Sequence, residues 1–168
     1  MNIVEADLNN ELHVSGLLEI LRQYAAEPGG GSHLLTEQSQ KELIERLKEQ
    51  SNRLVLLALK DGLPIGLAVC FRGFSTFTAR PLINIHDLAV LPQWRGHGAG
   101  TRLIECVTSI AEDEGCCRVT LEVISDNTAA RRLYQRCGFN DPPYGPEQSL
   151  SLCKPLTERQ SKSRTSST

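Results

Sequence analysis

Apolar and polar positions along this chain alternate between two periods, one near four residues and one near two. Leu12, Leu17, Leu18, Ile20, Leu21 and Tyr24 share roughly one face if Leu8–Ala26 is helical. Thr36 and Glu37 open a second helix carrying Leu43, Ile44 and Leu47, which ends near Ser51-Asn52. Between them, Pro28-Gly29-Gly30-Gly31-Ser32 reads as a flexible loop. Leu54–Lys60 and Leu63–Phe71 are nearly continuous apolar runs joined by Asp61-Gly62, the signature of two strands in a hairpin. A loop, Arg72–Thr78, then leads into a strand over Leu82–Leu91. Helical spacing returns over Thr101–Glu114 through Leu103, Ile104, Val107, Ile110 and Ala111, with Gly115 as its cap. Val119–Ile124 predicts a buried strand, Ser125-Asp126-Asn127 supply capping side chains, and Thr128–Cys137 predicts a short helix stopped by Gly138-Phe139. Ile3–Ala6 and Ser149–Cys153 are candidate outer strands.

The predicted order is βααβββαβαβ, an α/β architecture with one central sheet flanked by helices. The Asp61-Gly62 hairpin makes that sheet mixed rather than purely parallel. The expected organisation is one domain over 1–155 and a disordered polar tail over 156–168, where Ser, Thr, Lys and Arg leave nothing to bury.

Candidate chemistry concentrates where the strand Leu82–Leu91 meets the helix from Thr101. The connecting segment, Arg95-Gly96-His97-Gly98-Ala99-Gly100, is glycine at every second position. Bare backbone at the positive end of a helix lets several N–H groups converge on an anion such as a pyrophosphate. It is not a Walker A loop, because no lysine follows the last glycine. It is not the dinucleotide fingerprint either, which needs a glycine at Thr101. The alternative is a tight turn with no ligand. The order resembles the acyl-CoA loop of the GNAT superfamily of N-acetyltransferases, Gln/Arg-x-x-Gly-x-Gly/Ala, met by Arg95, Gly98 and Gly100.

A second segment, Asn127-x-Ala129-Ala130-x-x-Leu133-Tyr134-x-x-x-Gly138-Phe139, resembles the other characteristic helix of that superfamily. Asn127, Ala130 and Tyr134 are spaced three and four apart, so they share a helix face. The resemblance covers about residues 1–155, is strongest from Ile83 to Phe139, and implies the GNAT fold with acetyl-CoA as acetyl donor; no metal is expected, because the cysteines and histidines lack ligand spacing. It also implies roles. Leu88, Ala89 and Val90 would pair with the pantetheine arm as an added strand would. The amides of Arg95, Gly96, His97, Gly98, Ala99 and Gly100, with Thr101, would hold the pyrophosphate. Asn127 would bond a donor amide, Ala130 would admit it, and Tyr134 would protonate the departing thiolate. A phenol with a reference pKa near 10 is protonated at neutral pH and suits that task, although Tyr134 could equally be core packing. Arg132 and Arg136 are candidates for the adenosine 3′-phosphate, or simply solvated arginines.

The base is left open by the residues themselves. His86 stands where many relatives carry a glutamate, and its neighbour Asp87 is a rival, as base or as anchor for a cationic substrate. Strict alternation puts His86 with Leu88 and Val90 and Asp87 on the opposite face, unless a bulge intervenes. A water held by backbone groups is the remaining choice.

Bulk properties narrow the partners. The formal charge is −2 and the isoelectric point about 6.1, which argues against nucleic acid or an anionic membrane as partner. No apolar run reaches the roughly 20 residues of a membrane span, and Met1–Asp7 lacks a signal-peptide pattern, so a cytoplasmic protein is expected. Cysteines at 70, 106, 116, 117, 137 and 153 and histidines at 13, 33, 86 and 97 show no metal-ligand spacing. The expected activity is transfer of an acetyl group from acetyl-CoA to a primary amine, by direct attack in a ternary complex. A small-molecule amine is favoured, with a protein or peptide amine, or a non-catalytic acyl-CoA-binding module, as alternatives. Phe74 and Phe77 are candidate walls of the acceptor pocket, and Glu27, Glu37 and Asp87 candidate attractors of a cation. A homodimer is compatible with the resemblance.

Overall fold

The computed structural model describes residues 1–27, 36–124 and 127–139. The glycine loop after Pro28, the cap candidates Ser125 and Asp126, the strand expected over Ser149–Cys153 and the polar tail lie outside those residues. Its elements are β1 (Asn2–Glu5), α1 (Glu11–Ala25), α2 (Glu37–Glu49), β2 (Arg53–Lys60), β3 (Leu63–Ser75), β4 (Arg80–Val90), a 3₁₀ turn (Pro92–Trp94), α3 (Ala99–Asp113), β5 (Val119–Leu121) and α4 (Thr128–Arg136). The strands form one sheet in the order β1-β2-β3-β4-β5. The first four are antiparallel and β5 joins β4 in parallel, so the sheet is mixed as expected.

Both faces of the sheet are covered, which explains the unbroken apolar run of β2. Leu54, Leu56 and Ala58 point to one face, where Leu103, Ile104 and Val107 of α3 pack. Val55 and Leu57 point to the other, against Leu17 and Ile20 of α1 and Ile44 and Leu47 of α2. Each buried aliphatic side chain of this kind contributes about 1.5–3 kcal/mol. Asn10 caps α1 by accepting from the Leu12 and His13 amides, and Thr36 caps α2 by accepting from Ser39. Leu12 is 45% exposed, so the buried face of α1 is narrower than its leucine pattern suggests. Among the described residues no helix is long and apolar enough to cross a membrane.

Two departures from the sequence expectation shape the site. First, β3 and β4 run past the rest of the sheet. Pairing continues through Arg72↔Ile83 to Ser75↔Arg80, whereas β2 stops at Arg53↔Phe71. The expected loop Arg72–Thr78 is therefore largely a two-stranded arm, whose mostly exposed residues hide the strand alternation. Second, β5 is short and half-buried, and it pairs with β4 only from Ile83↔Val119 to Ile85↔Leu121. Beyond Ile85 that edge of β4 has no ladder partner among the described residues, and the two strands part there.

Candidate active site

The register of β4 slips by one residue at the place where the strands part. Val69 faces Asp87 while Cys70 faces Ile85, leaving His86 as an inserted residue, a β-bulge. The bulge reverses the alternation. Before it, Ile83 and Ile85 join the core under α3; after it, Leu88 and Val90 do, and Ala89 turns to the α1 side. Asp87 thus shares the α1 side with Ala89. His86 is exposed, with its ring edge-on to Phe71 at 5.8 Å.

After β4 the chain makes the 3₁₀ turn and enters the glycine segment. Gly96 and Gly98 have φ of +77° and +84°, a left-handed conformation that a side chain resists. Gly98 is the N-cap of α3, and no side chain caps that helix. The first intrahelical bond is donated by Arg102 to Gly98, so the amides of Ala99, Gly100 and Thr101 lack the partners an α-helix gives its interior. A Cβ on Gly100 would lie 3.0 Å from Leu133 Cδ2, so this glycine lets α4 approach α3.

These elements enclose a cleft of about 920 Å³. One wall is Leu88, Ala89 and Val90 of β4; the floor is Arg95, Gly96 and Gly98 through Thr101; the other wall is Asn127, Ala130, Leu133 and Tyr134 of α4. Tyr24, in the last turn of α1, and Glu27, two residues beyond that helix, also line the cleft. The structure thus gathers twelve of the expected donor-site residues around one space. His97 is not among them: its Nδ1 lies 2.8 Å from the Arg95 carbonyl oxygen and its ring stands edge-on to Trp94. Asn127 lines the cleft but spends its side-chain oxygen on capping α4, accepting from the Ala130 amide at 3.1 Å. His86 and Asp87 do not line the cleft. Phe74 and Phe77 stand away from it on the β3–β4 arm, and Phe77 is 98% exposed.

Electrostatics at the α1 end favour protons on the phenols. Burial, reinforced by Tyr24, pushes Tyr134 up to about 12. Tyr24 is also raised, by burial and then by the charges of Asp87 and Glu27. Burial raises Asp87, and the charge of His86 pulls it back in part. The Tyr134 ring packs on Phe139 at 6.1 Å. Burial also drives the Cys70 thiol up to about 12 and raises Cys106, Cys116 and Cys137, which disfavours a thiolate nucleophile on any of them.

Several cleft residues carried no role in the sequence reading. Leu133 sits inside the second motif segment and could have been found by asking what Gly100 packs against, and Trp94 immediately precedes the glycine segment. Tyr24 read as part of an apolar helix face and, by the resemblance, as the start of the acceptor segment 24–35, with no role of its own. The pairing of Glu27 with Arg95, 68 residues away, has no local sequence signal.

A sequence model of the acetyltransferase (GNAT) family matches residues 16–139. This chain belongs to that family. The mouse thialysine N-epsilon-acetyltransferase is 35% identical over 82 residues, 49% of this chain and 48% of its own. The chain thus spans about half the length of the thialysine acetyltransferases it matches. An uncharacterized N-acetyltransferase of Bacillus subtilis is 26% identical over 84% of this chain and 91% of its own. The structure of AAC(6′)-Iy in complex with the bisubstrate analog CoA-S-monomethyl-acetylneamine superposes with a TM-score of 0.71. It is 18% identical, and the match covers 92% of this chain and 98% of that one, a likeness of GNAT fold.

Proposed function

We propose that the cleft binds acetyl-CoA and that this chain transfers the acetyl group to a primary amine of a small molecule, by direct attack in a ternary complex. The observation that carries the reading is the meeting of three features in one space. These are the uncapped amides of α3, the unladdered edge of β4 and the protonated phenol of Tyr134. The residues fit the donor. The α3 amides and the bare Gly96–Gly100 backbone suit its pyrophosphate, and the β4 edge at Leu88–Val90 suits amides of an extended arm. Arg95 Nε already donates to the Val90 carbonyl at 2.9 Å, so one lone pair of that oxygen is taken. When bound, acetyl-CoA supplies the activated acyl group as a thioester.

The chain's own residues then have distinct tasks. Tyr134 holds a proton at its phenolic oxygen for the sulfur that departs. A backbone N–H of β4 beyond the bulge is a donor for the developing charge on the carbonyl oxygen. Asp87, with His86 beside it at the surface, takes up the proton the amine must lose. Its raised affinity for a proton suits a base better than an ordinary aspartate would. A small-molecule acceptor is supported by the names of similar proteins: the mouse protein is named for thialysine, and the AAC(6′)-Iy structure, alike in fold, holds the bisubstrate analog CoA-S-monomethyl-acetylneamine.

The test is thiol release from acetyl-CoA against a panel of diamines, amino acids, aminoglycosides and peptides. The expected result is release that depends on a small primary amine. Release only with peptides would move the acceptor to a protein. No release with any amine, despite donor binding, would make the cleft a binding module.

A further inference from the structure

The loop between β4 and α3 is thinly held. Pro92, Gln93, Arg95, Gly96, His97 and Gly98 are all exposed, and Trp94 is only half-buried. Its own bonds are local: Trp94 donates to Leu91, Arg95 to Pro92, and His97 meets the Arg95 carbonyl. A segment with so little burial opens easily unless something remote ties it down. The Arg95 side chain makes that tie. Its Nε donates to the Val90 carbonyl at 2.9 Å, and its Nη2 to Glu27 Oε1 at 2.5 Å. One end of the guanidinium is fixed on the last residue of β4, the other on the second residue past α1.

We propose that Glu27 is a positioning residue for the donor site. Its carboxylate holds the Arg95 guanidinium on the Val90 carbonyl and so fixes the glycine loop against the end of α1. Both side chains line the cleft, so the clasp joins the wall expected to face the amine to the floor expected to face the donor. The inference rests on the donor reading of the cleft given above. A guanidinium held by two separate acceptors has its plane set, which a lysine in its place could not reproduce. The pair is half-exposed, at 48% and 31%, so it adds little to global stability, and its effect belongs in binding.

The sign of the effect makes the proposal testable. Glu27 puts a negative charge beside a site for an anionic donor. If it acted only through that charge, removing it would tighten donor binding. If it positions Arg95, removing it weakens binding. Calorimetric titration with CoA needs no amine and reads this directly in the full chain. Glu27→Gln should weaken CoA binding about two- to five-fold, the range of an exposed ion pair. Glu27→Asp should recover part of the loss. Arg95→Lys should weaken binding alone but add little in the Glu27→Gln background, because one clasp is broken either way. In turnover, KM for acetyl-CoA should rise by more than kcat falls. Equal or tighter CoA binding by Glu27→Gln, or full additivity with Arg95→Lys, would overturn the proposal. Absence of CoA binding by the unaltered protein would defeat the donor reading, and this inference with it.

Discussion

The two ends of the cleft are built by different means. On the proposed reading the donor end is backbone: two left-handed glycines, the bare start of α3 and an edge of β4 released by the short β5. The proposed acceptor end is side chains from remote elements, with Tyr24 of α1 and Glu27 just beyond it meeting Tyr134 of α4, while Asp87 lies near Tyr24 without lining the cleft. A backbone site depends on spacing within one short segment, so its chemistry is fixed locally. A side-chain site depends on tertiary packing, so it can change its ligand while the donor end stays as it is. On this view the molecule separates what it carries from what it receives.

The most severe way to break the comparison is at Tyr134, where the ends meet. Tyr134→Phe keeps the ring on Phe139 and removes only the proton held at about 12. Turnover should fall about 10²–10⁴-fold while CoA affinity stays nearly constant. Steady-state rates at saturating donor decide this, and wild-type turnover would leave Tyr134 as packing alone.

Asp87→Asn tests the acceptor end. Turnover should fall by about 10²-fold, the lower end of the range for a lost general base. The pH dependence sharpens the test. As a base, Asp87 works only when ionised, so the rate should rise with pH through a value above the ordinary aspartate range. Stability should run the other way. The fold holds this proton more tightly than the unfolded chain does, so the group's contribution to stability falls as pH rises through the same region. Asp87→Asn should therefore leave the neutral-pH melting temperature equal or higher. His86→Gln removes the charge that lowers Asp87, so the rate limb should move to higher pH. A flattened limb would instead make His86 itself the base.

Gly98→Val tests the donor end. A β-branched residue at φ of +84° costs about 1–2 kcal/mol, or about five- to thirty-fold in CoA affinity if the binding conformation must bear it. Gly100→Ala should cost less, because the obstructing atom is the movable end of Leu133. The smallest effect should come from Phe77→Ser. A side chain 98% exposed on the β3–β4 arm should change the acceptor KM by less than about two-fold. A larger change would bring that arm into the acceptor site.

The same division marks what could be read from residues alone. The glycine segment and the Asn127–Phe139 helix announced the family and gathered most of the cleft, because each is a local pattern. The order of strands and helices was legible for the same reason. The bulge at His86 was not, since an inserted residue leaves composition unchanged and shows only in the partner strand's register. Phe74 and Phe77 read as pocket walls, yet they stand exposed on the β3–β4 arm and do not line the cleft. Asn127 read as a ligand contact, while the helix it starts claims its oxygen first. Glu27 read as an attractor of a cation, while its pairing with Arg95 of the glycine loop shows only in the fold.

Amide-resolved NMR during titration with CoA tests the central claim most directly, that bare backbone holds the donor. The account predicts the largest shifts at the amides of Gly96 through Thr101 and of Leu88 through Val90. Smaller ones should appear on the Tyr134 face of α4, with the groove between α1 and α2 unmoved. Shifts concentrated in that groove, around Leu8, Val14 and Ile44, with the α3 amides silent, would contradict it.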